Sequence, residues 1–392
     1  FAYDAAGQLV QATNGVGGRT RYEYDVRGRL VGITDPAGAV TRRTYTQLDQ
    51  VDSVTDALGR TTRATYDAAG RQLAQRDPSG STSTWTYDAA GRETSLSVDG
   101  RLVSSIERDF SGRSVRIRDF SCGTEVAHEL TYDRVGRLLR RTRDAQSTTW
   151  AYDAAGKVLS RTDAAGGTVS YAYDAAGRLV RASDSAGGQV DYAYDGASRI
   201  ISASTADLVS SWVYADGAVS GHVLADAEGQ PLTQSTIARD EYGRVTSVQK
   251  QGTGAEPSMV AYGYDEASQL VSIAGGPRQV ARYEYDAAGR LTRSVAADGG
   301  ERVFAYDEAS QLVSITASSG EVTTFLYDGL GRRVRQEDAS GAVRQFAYGP
   351  TGYLSTVELS NGTGGASTAH RIEVDALGEI AAVDGVSLGW DT

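Results

Sequence analysis

The sequence predicts an all-β fold, a long antiparallel ribbon built from β-hairpin repeats, on three observations. A Tyr-Asp pair recurs about every 21 residues, from Tyr3-Asp4 through Tyr24-Asp25, Tyr66-Asp67, Tyr87-Asp88, Tyr173-Asp174, Tyr285-Asp286 and Tyr327-Asp328 to Tyr348. A unit of that size cannot bury a core alone and must lean on its neighbours, which makes the chain a stacked array. Most copies continue as D-x-x-G, and an aromatic residue stands two positions before most of the repeat tyrosines.

Each repeat resolves into two turns and two strands. In Asp174-Ala-Ala-Gly177 the aspartate can accept a hydrogen bond from the backbone two residues on, and Gly177 supplies the positive φ that closes the loop. The same grammar stands at Asp25 to Gly28, Asp67 to Gly70, Asp88 to Gly91, Asp133 to Gly136, Asp153 to Gly156, Asp286 to Gly289 and Asp328 to Gly331. A second turn falls between these, at Asp35 to Gly38, Asp56 to Gly59, Asp77 to Gly80, Asp163 to Gly166, Asp184 to Gly187 and Asp338 to Gly341. Roughly six residues are left per strand, a usual strand length, and none for a helix.

Alternation then assigns the faces. Residues i and i−2 of a strand point the same way, so Tyr22 shares a face with Tyr24, Tyr171 with Tyr173 and Tyr283 with Tyr285, while Glu23, Ala172 and Glu284 face the other side. Two aromatic rows on one face predict stacked ring pairs between neighbouring hairpins as a main source of cohesion. The residues expected to carry the architecture are therefore Tyr24, Asp25 and Gly28, with Tyr173, Asp174 and Gly177 and with Tyr285, Asp286 and Gly289.

The array runs over residues 1–350, with lapses near 98–129 and 196–258 where longer loops and diverged repeats are expected to keep their strands. About 18 repeats at about 4.8 Å per strand make a ribbon of roughly 170 to 180 Å, enough for about one turn with its ends uncovered. A glycine-rich loop follows from Asn361, and His370 to Asp375 with the stretch up to Gly385 reads as a hairpin of altered type.

Composition excludes several classes. With 392 residues and a formal charge of −11, the chain lacks the clustered positive charge of a nucleic-acid binder. Arginines recur just after the turn glycine (Arg29, Arg71, Arg137, Arg178, Arg290, Arg332), a placement that favours pairing with repeat aspartates or stacking on aromatics over a binding patch. The lone Cys122 permits no internal disulfide and fits no zinc site. His128, His222 and His370 lie far apart with no ligand spacing, and no nucleophile elbow or phosphate loop occurs, so neither catalytic nor metal residues nor a cofactor are assigned. No apolar run reaches membrane-spanning length. The chain begins at Phe1 in mid-repeat, which reads as a piece of a longer protein.

The motif Y-D-x-x-G-R-L stands almost verbatim as Tyr24-Asp-Val-Arg-Gly-Arg-Leu30, Tyr132-Asp-Arg-Val-Gly-Arg-Leu138, Tyr173-Asp-Ala-Ala-Gly-Arg-Leu179 and Tyr285-Asp-Ala-Ala-Gly-Arg-Leu291. Over residues 1–350 the chain thereby resembles the Rhs, or YD-repeat, proteins, among them bacterial polymorphic toxins, toxin-complex shells and teneurins. Residues 351–392, around Asp375-Ala-Leu-Gly378 and Asp384-Gly385, look like the start of the Rhs-associated core. The resemblance implies a ribbon spiralling into a hollow shell around a toxin polypeptide, in a secreted or cell-surface bacterial protein. Its implied partners are that toxin cargo and the remaining shell repeats. The family's self-cleaving aspartyl motif has no match here, so no catalytic residue is carried over. A structural container is the reading preferred over a surface-glycan binding module, because aromatics needed to hold hairpins together are poorly placed to bind sugars as well, and over an enzyme.

Overall fold

The computed structural model describes residues 1–120, 125–143, 145–275, 281–360, 368–374, 380–384 and 386–387. Cys122, most of the glycine-rich loop after Asn361, the Asp375-Ala-Leu-Gly378 stretch and Gly385 lie outside the described residues. The described residues form antiparallel strands joined by turns, with no helix among them, as the all-β reading requires. Strands pair with their neighbours in sequence, as where Thr168–Tyr173 pairs with Leu179–Asp184, which pairs with Gln189–Tyr194. Such purely local pairing makes the ribbon an array of nearest-neighbour couplings.

One register feature repeats at each Tyr-Asp turn. Ala172 pairs with Arg181 but Tyr173 pairs with Leu179, so Val180 is an extra residue on the returning strand. The same one-residue bulge separates Glu23↔Gly32 from Tyr24↔Leu30 and Glu284↔Arg293 from Tyr285↔Leu291. Bulges increase local twist, and one per repeat applies it at regular intervals. The alternation of faces follows the sequence pattern, since Arg19–Tyr24 alternates exposed and half-buried residues with Tyr22 and Tyr24 on the less exposed side.

The irregular stretch keeps its strands, but the extra residues go elsewhere than expected. They lengthen the strands to eight to ten residues in Leu208–Ala215, Ala218–Asp226, Pro231–Arg239, Val245–Gly252 and Ala255–Tyr264. The loops stay short: Leu208–Ala215 turns into Ala218–Asp226 through Asp216 (φ 49°) and Gly217 (φ 81°). Two consecutive positive φ values match the right-handed twist of the flanking strands, so a tight turn is the natural closure of a long hairpin.

Contacts group the chain into two units, one of Phe1–Ala127, Asp265–Gln269 and Arg282–Thr392, the other of His128–Tyr264 and Leu270–Ala281. Burial is thin. Val103, Ala225, Phe325 and Ala382 are the described apolar residues that are buried. A sheet with so little enclosed apolar surface must take much of its cohesion from the ladder and from the side chains at its edges.

Candidate functional site: turn clamps and a seam

The turn aspartate organises its own loop. Asp25 Oδ1 accepts from the backbone N–H groups of Arg27 (2.9 Å) and Arg29 (3.0 Å), and Gly28, at φ 81°, donates to the Asp25 carbonyl (2.9 Å). The other carboxylate oxygen takes the Arg29 guanidinium as a fork, with Nε and Nη2 both at 2.7 Å. Asp174 repeats this with the Arg178 N–H at 2.9 Å and Nε at 2.7 Å, and Gly177 sits at φ 83°. Asp286 does so with Ala288 N–H (2.9 Å), Arg290 N–H (3.0 Å) and Arg290 Nε (2.6 Å), with Gly289 at φ 83°.

These contacts hold the carboxyls below their ordinary range. For Asp25 and Asp174 the backbone N–H of the clamping arginine is the main cause, followed by its guanidinium. At Asp286 burial is the strongest influence and opposes ionisation, but the N–H and guanidinium of Arg290 together overcome it.

The arginine also reaches the following repeat. Arg29 lies 4.7 Å over the Tyr45 ring, Arg178 4.8 Å over Tyr194, Arg290 4.9 Å over Tyr306 and Arg332 4.5 Å over Tyr348. In one copy a lysine substitutes, Lys157 lying 5.0 Å over Tyr173. Such a contact contributes about 0.5–1 kcal/mol at an exposed site. The tyrosine hydroxyl then donates to a backbone carbonyl of the preceding repeat: Tyr24 to Leu9 (3.0 Å), Tyr173 to Val158 (2.9 Å) and Tyr306 to Leu291 (2.9 Å). Arg178 Nη1 adds a bond to the Asp195 carbonyl (3.2 Å). Each clamp thus couples its own turn to the next.

This replaces the expected ring pairs. Among the described residues the aromatic pair in contact is Trp212 with His222, at 5.4 Å and 40°, not the repeat aromatics with one another. Where an arginine follows the turn, its guanidinium lies over the next repeat's tyrosine ring, as Arg29 does over Tyr45 and Arg178 over Tyr194. The nine expected residues lie at the turn and ring positions of three separate repeats, and Tyr24 and Tyr173 each bond back to the repeat before their own.

Sequence reasoning missed turns that lack glycine. Asp49 (φ 64°), Ser198 (φ 63°), Ser268 (φ 62°) and Ser310 (φ 62°) hold the left-handed position in Thr46-Gln-Leu-Asp49, Asp195-Gly-Ala-Ser198, Asp265-Glu-Ala-Ser268 and Asp307-Glu-Ala-Ser310. The previous repeat's arginine engages three of these side chains: Arg29 at Asp49 (2.7 Å), Arg178 at Ser198 (3.4 Å) and Arg290 at Ser310 (3.0 Å). The 21-residue register was the available signal.

A second set of contacts joins distant parts of the first unit. Asn14 Nδ2 donates to the Ala287 carbonyl (2.9 Å) across 273 residues of sequence, and Ser310 Oγ lies 3.5 Å from Asp35 Oδ2 across 275. Arg60, clamped to Asp56 by Nε at 2.5 Å, extends Nη1 to Gln311 Oε1 (3.1 Å) and the Asp328 carbonyl (3.3 Å). A Cβ on Gly15 would collide with the Glu266 backbone, and one on Gly329 would crowd Ser79 N at 3.3 Å. The second-turn edge of residues 14–80 is thereby seated on the Tyr-Asp turn edge of residues 265–331, one turn beside another. An open groove of about 730 Å³ along this seam is lined by Val40, Arg42, Asp56, Arg290, Tyr306 and Asp307. Asp56 and Arg290 there are already paired, with Arg60 and Asp286.

Among the described residues no three His, Cys, Asp or Glu side chains gather to hold a metal ion, and no helix is long and apolar enough to cross a membrane.

The RHS Repeat family model matches residues 3–40, 24–61, 66–102, 132–168, 152–189, 173–208, 264–301 and 306–343, together more than half of the chain. No curated protein matches. Among solved structures, the crystal structure of TcdB2-TccC3 matches with a TM-score of 0.71 at 16% identity, over 96% of this chain and 23% of that one. The Photorhabdus luminescens Tc holotoxin pore carrying TccC3-D651A matches with a TM-score of 0.63 at 16% identity, over 97% and 25%. TcdB2-TccC3 without its hypervariable C-terminal region gives 0.63 at 16%, over 96% and 25%. The chain spans about a quarter of the length of the solved chains it matches, and what it shares with them is the fold.

Proposed function

Because this chain belongs to the RHS repeat family, we propose that it is a wall segment of a secreted or cell-surface bacterial toxin shell, enclosing a toxin polypeptide until delivery. The observation that carries this reading is how the repeat side chains are used. Aspartate, arginine and tyrosine of successive repeats are committed to one another, as in Asp174–Arg178–Tyr194, contacts that bind repeat to repeat as a wall requires. The likeness in fold to TcdB2-TccC3 supports it. On this reading the nine turn and ring residues are wall-building elements, the segment has no chemistry of its own, and its partners are the remaining shell repeats and the cargo.

Limited proteolysis of the full-length parent tests the reading. The cargo is expected to resist protease inside the parent and to become sensitive when the shell is opened. Cargo digested as readily inside the parent as when free would overturn it. Saturable sugar binding by residues 1–350 that depends on the repeat tyrosines would instead favour a glycan-binding role. That role would require those rings to give up the guanidinium stacks they now form.

A further inference from the structure

We propose that the register of the seam is set by arginine, each slot along it accepting one guanidinium, from either edge, and rejecting a second. The inference is independent of the cargo reading, since it rests on contacts inside the first unit.

A seam between two repeating edges has a register problem. Turns of one shape recur along both, so a slip by one repeat again sets turn against turn, and side-chain identity must tell the arrangements apart. The observed register is fixed at both ends: Gly15 lies on the Glu266 backbone, and three repeats further along each edge Pro78 lies on Gly329. In this register the residue that follows each four-residue turn meets a counterpart, as Arg60 meets Gln311. The same spacing sets Gly18 opposite Gln269, Ala39 opposite Arg290 and Ser81 opposite Arg332. Ala39 and Arg290 line the groove of the seam, and Ser81 and Arg332 line a second one.

Three of these four slots hold one arginine each. It comes from the Tyr-Asp edge at Arg290 and Arg332, and from the second-turn edge at Arg60, where Gln311 Oε1 accepts it at 3.1 Å. The Tyr-Asp edge alternates Gln269, Arg290, Gln311, Arg332. A slip by one repeat in either direction therefore sets Arg60 against Arg290 or Arg332, and two guanidinium groups in one slot repel.

The fourth slot is an internal control. Residues 264–273 and 306–315 share the sequence Tyr-Asp-Glu-Ala-Ser-Gln-Leu-Val-Ser-Ile. The Gln269 and Gln311 amides lie alike, each Nε2 beside the glycine of the next Tyr-Asp turn, Gly289 or Gly331. What differs is the opposing residue. Gln311 Oε1 accepts from Arg60, whereas Gln269 Oε1, opposite Gly18, is buried with no hydrogen-bond partner among the described residues. A buried acceptor left unmet where arginine is missing marks what arginine supplies elsewhere.

Amide exchange of the 392-residue chain tests this, read at the second turn facing each replaced glutamine. Gln311→Arg adds a second guanidinium to its slot and should quicken exchange in residues 56–60 several-fold. Gln269→Arg, the same change in the same local sequence, brings the first guanidinium to its slot and should leave exchange in residues 14–18 unchanged or slower. Each new arginine can also grip its own turn aspartate, so that gain cancels in the comparison. In an Arg60→Gln chain the effect of Gln311→Arg should change sign and slow exchange in residues 56–60, because the slot then stands empty. Parent-like exchange in Thr168–Tyr173 checks that each variant is folded. No quickening from Gln311→Arg, equal quickening from both glutamine replacements, or an effect of Gln311→Arg that is the same with and without Arg60 would each overturn the proposal.

Discussion

The regular repeats around Asp174 and the long-strand stretch beginning at Leu208 solve the same problem with different means. The hairpin of Thr168–Tyr173 and Leu179–Asp184 pairs five residues in register, whereas Leu208–Ala215 and Ala218–Asp226 pair eight. The short hairpin carries a complete clamp, with Asp174 closing its loop, Arg178 gripping Asp174 and lying over Tyr194, and Tyr173 bonded back to Val158. The long hairpin turns through Asp216-Gly217 with no arginine four residues on, since Ser220 occupies that place. Between these two hairpins it is the shorter ladder that carries the clamp, whereas the next long hairpin has both, with Asp240 held by Arg244 Nε at 2.6 Å and Arg244 lying 4.9 Å over Tyr264.

Acid should separate the two stretches most. The carboxyls of Asp174 and Asp195 are held below their ordinary value of 3.8, for both chiefly by the backbone N–H and then the guanidinium of Arg178 and Arg199 respectively. A lowered folded-state pKa stabilises fully above the unfolded value, and the contribution disappears as pH falls through the folded one. Amide exchange compared at neutral pH and near pH 3, corrected for intrinsic rates, should therefore show protection falling in the Thr168–Tyr173 ladder well before the Leu208–Ala215 ladder. The effect is the largest expected, because the lowered carboxyls of Asp174 and Asp195, on either side of the short ladders, lose their contribution over the same fall in pH. Equal loss of protection in both stretches would mean the clamp does not hold the short hairpins together.

A smaller break comes from the turn backbone. Gly177→Val forces a β-branched residue to φ 83°, at a cost of about 1–2 kcal/mol. Gly221, in the long hairpin, lies outside the left-handed region, and a Cβ there would rest 3.5 Å from the Ser235 carbonyl, an ordinary contact. Exchange should quicken around Ala172 and Arg181 in the Gly177→Val chain and change little around Gly221 in a Gly221→Ala chain. Nearest-neighbour coupling confines the first effect to adjacent repeats, and loosening spread evenly along the array would contradict it.

How much of this was legible in sequence follows from the range of each interaction. The D-x-x-G turns, the strand lengths and the alternating faces are local, and periodicity exposed them at Asp25, Asp174 and Asp286. The positive-φ serines at 198, 268 and 310 are local too, but a glycine criterion passes over them; only the 21-residue register points to them. Ring stacking was expected where arginine intervenes, because composition cannot tell a tyrosine paired with tyrosine from one covered by a guanidinium. The seam was invisible for a different reason. Asn14 and Ala287 are 273 residues apart, and no local pattern such as a turn or an alternating strand couples them.

The finest distinction between the two stretches lies in one hydroxyl. Tyr194 Oη donates to the Leu179 carbonyl at 2.7 Å in a half-buried setting, and Tyr214 Oη makes the same bond at 2.7 Å to the exposed Ile200. Replacing either tyrosine by phenylalanine keeps the ring under its arginine, Arg178 at 4.8 Å or Arg199 at 4.4 Å, and removes only the hydrogen bond. A net hydrogen bond contributes about 0.5–1.5 kcal/mol, and leaving a shielded carbonyl without its donor costs most. Water can replace the lost donor at Ile200 but reaches Leu179 poorly. Tyr194→Phe should therefore speed exchange in Gln189–Tyr194 and its neighbours measurably more than Tyr214→Phe does in Leu208–Ala215. Equal responses would place the cohesion in the guanidinium stack alone and reduce the tyrosine hydroxyl to a bystander.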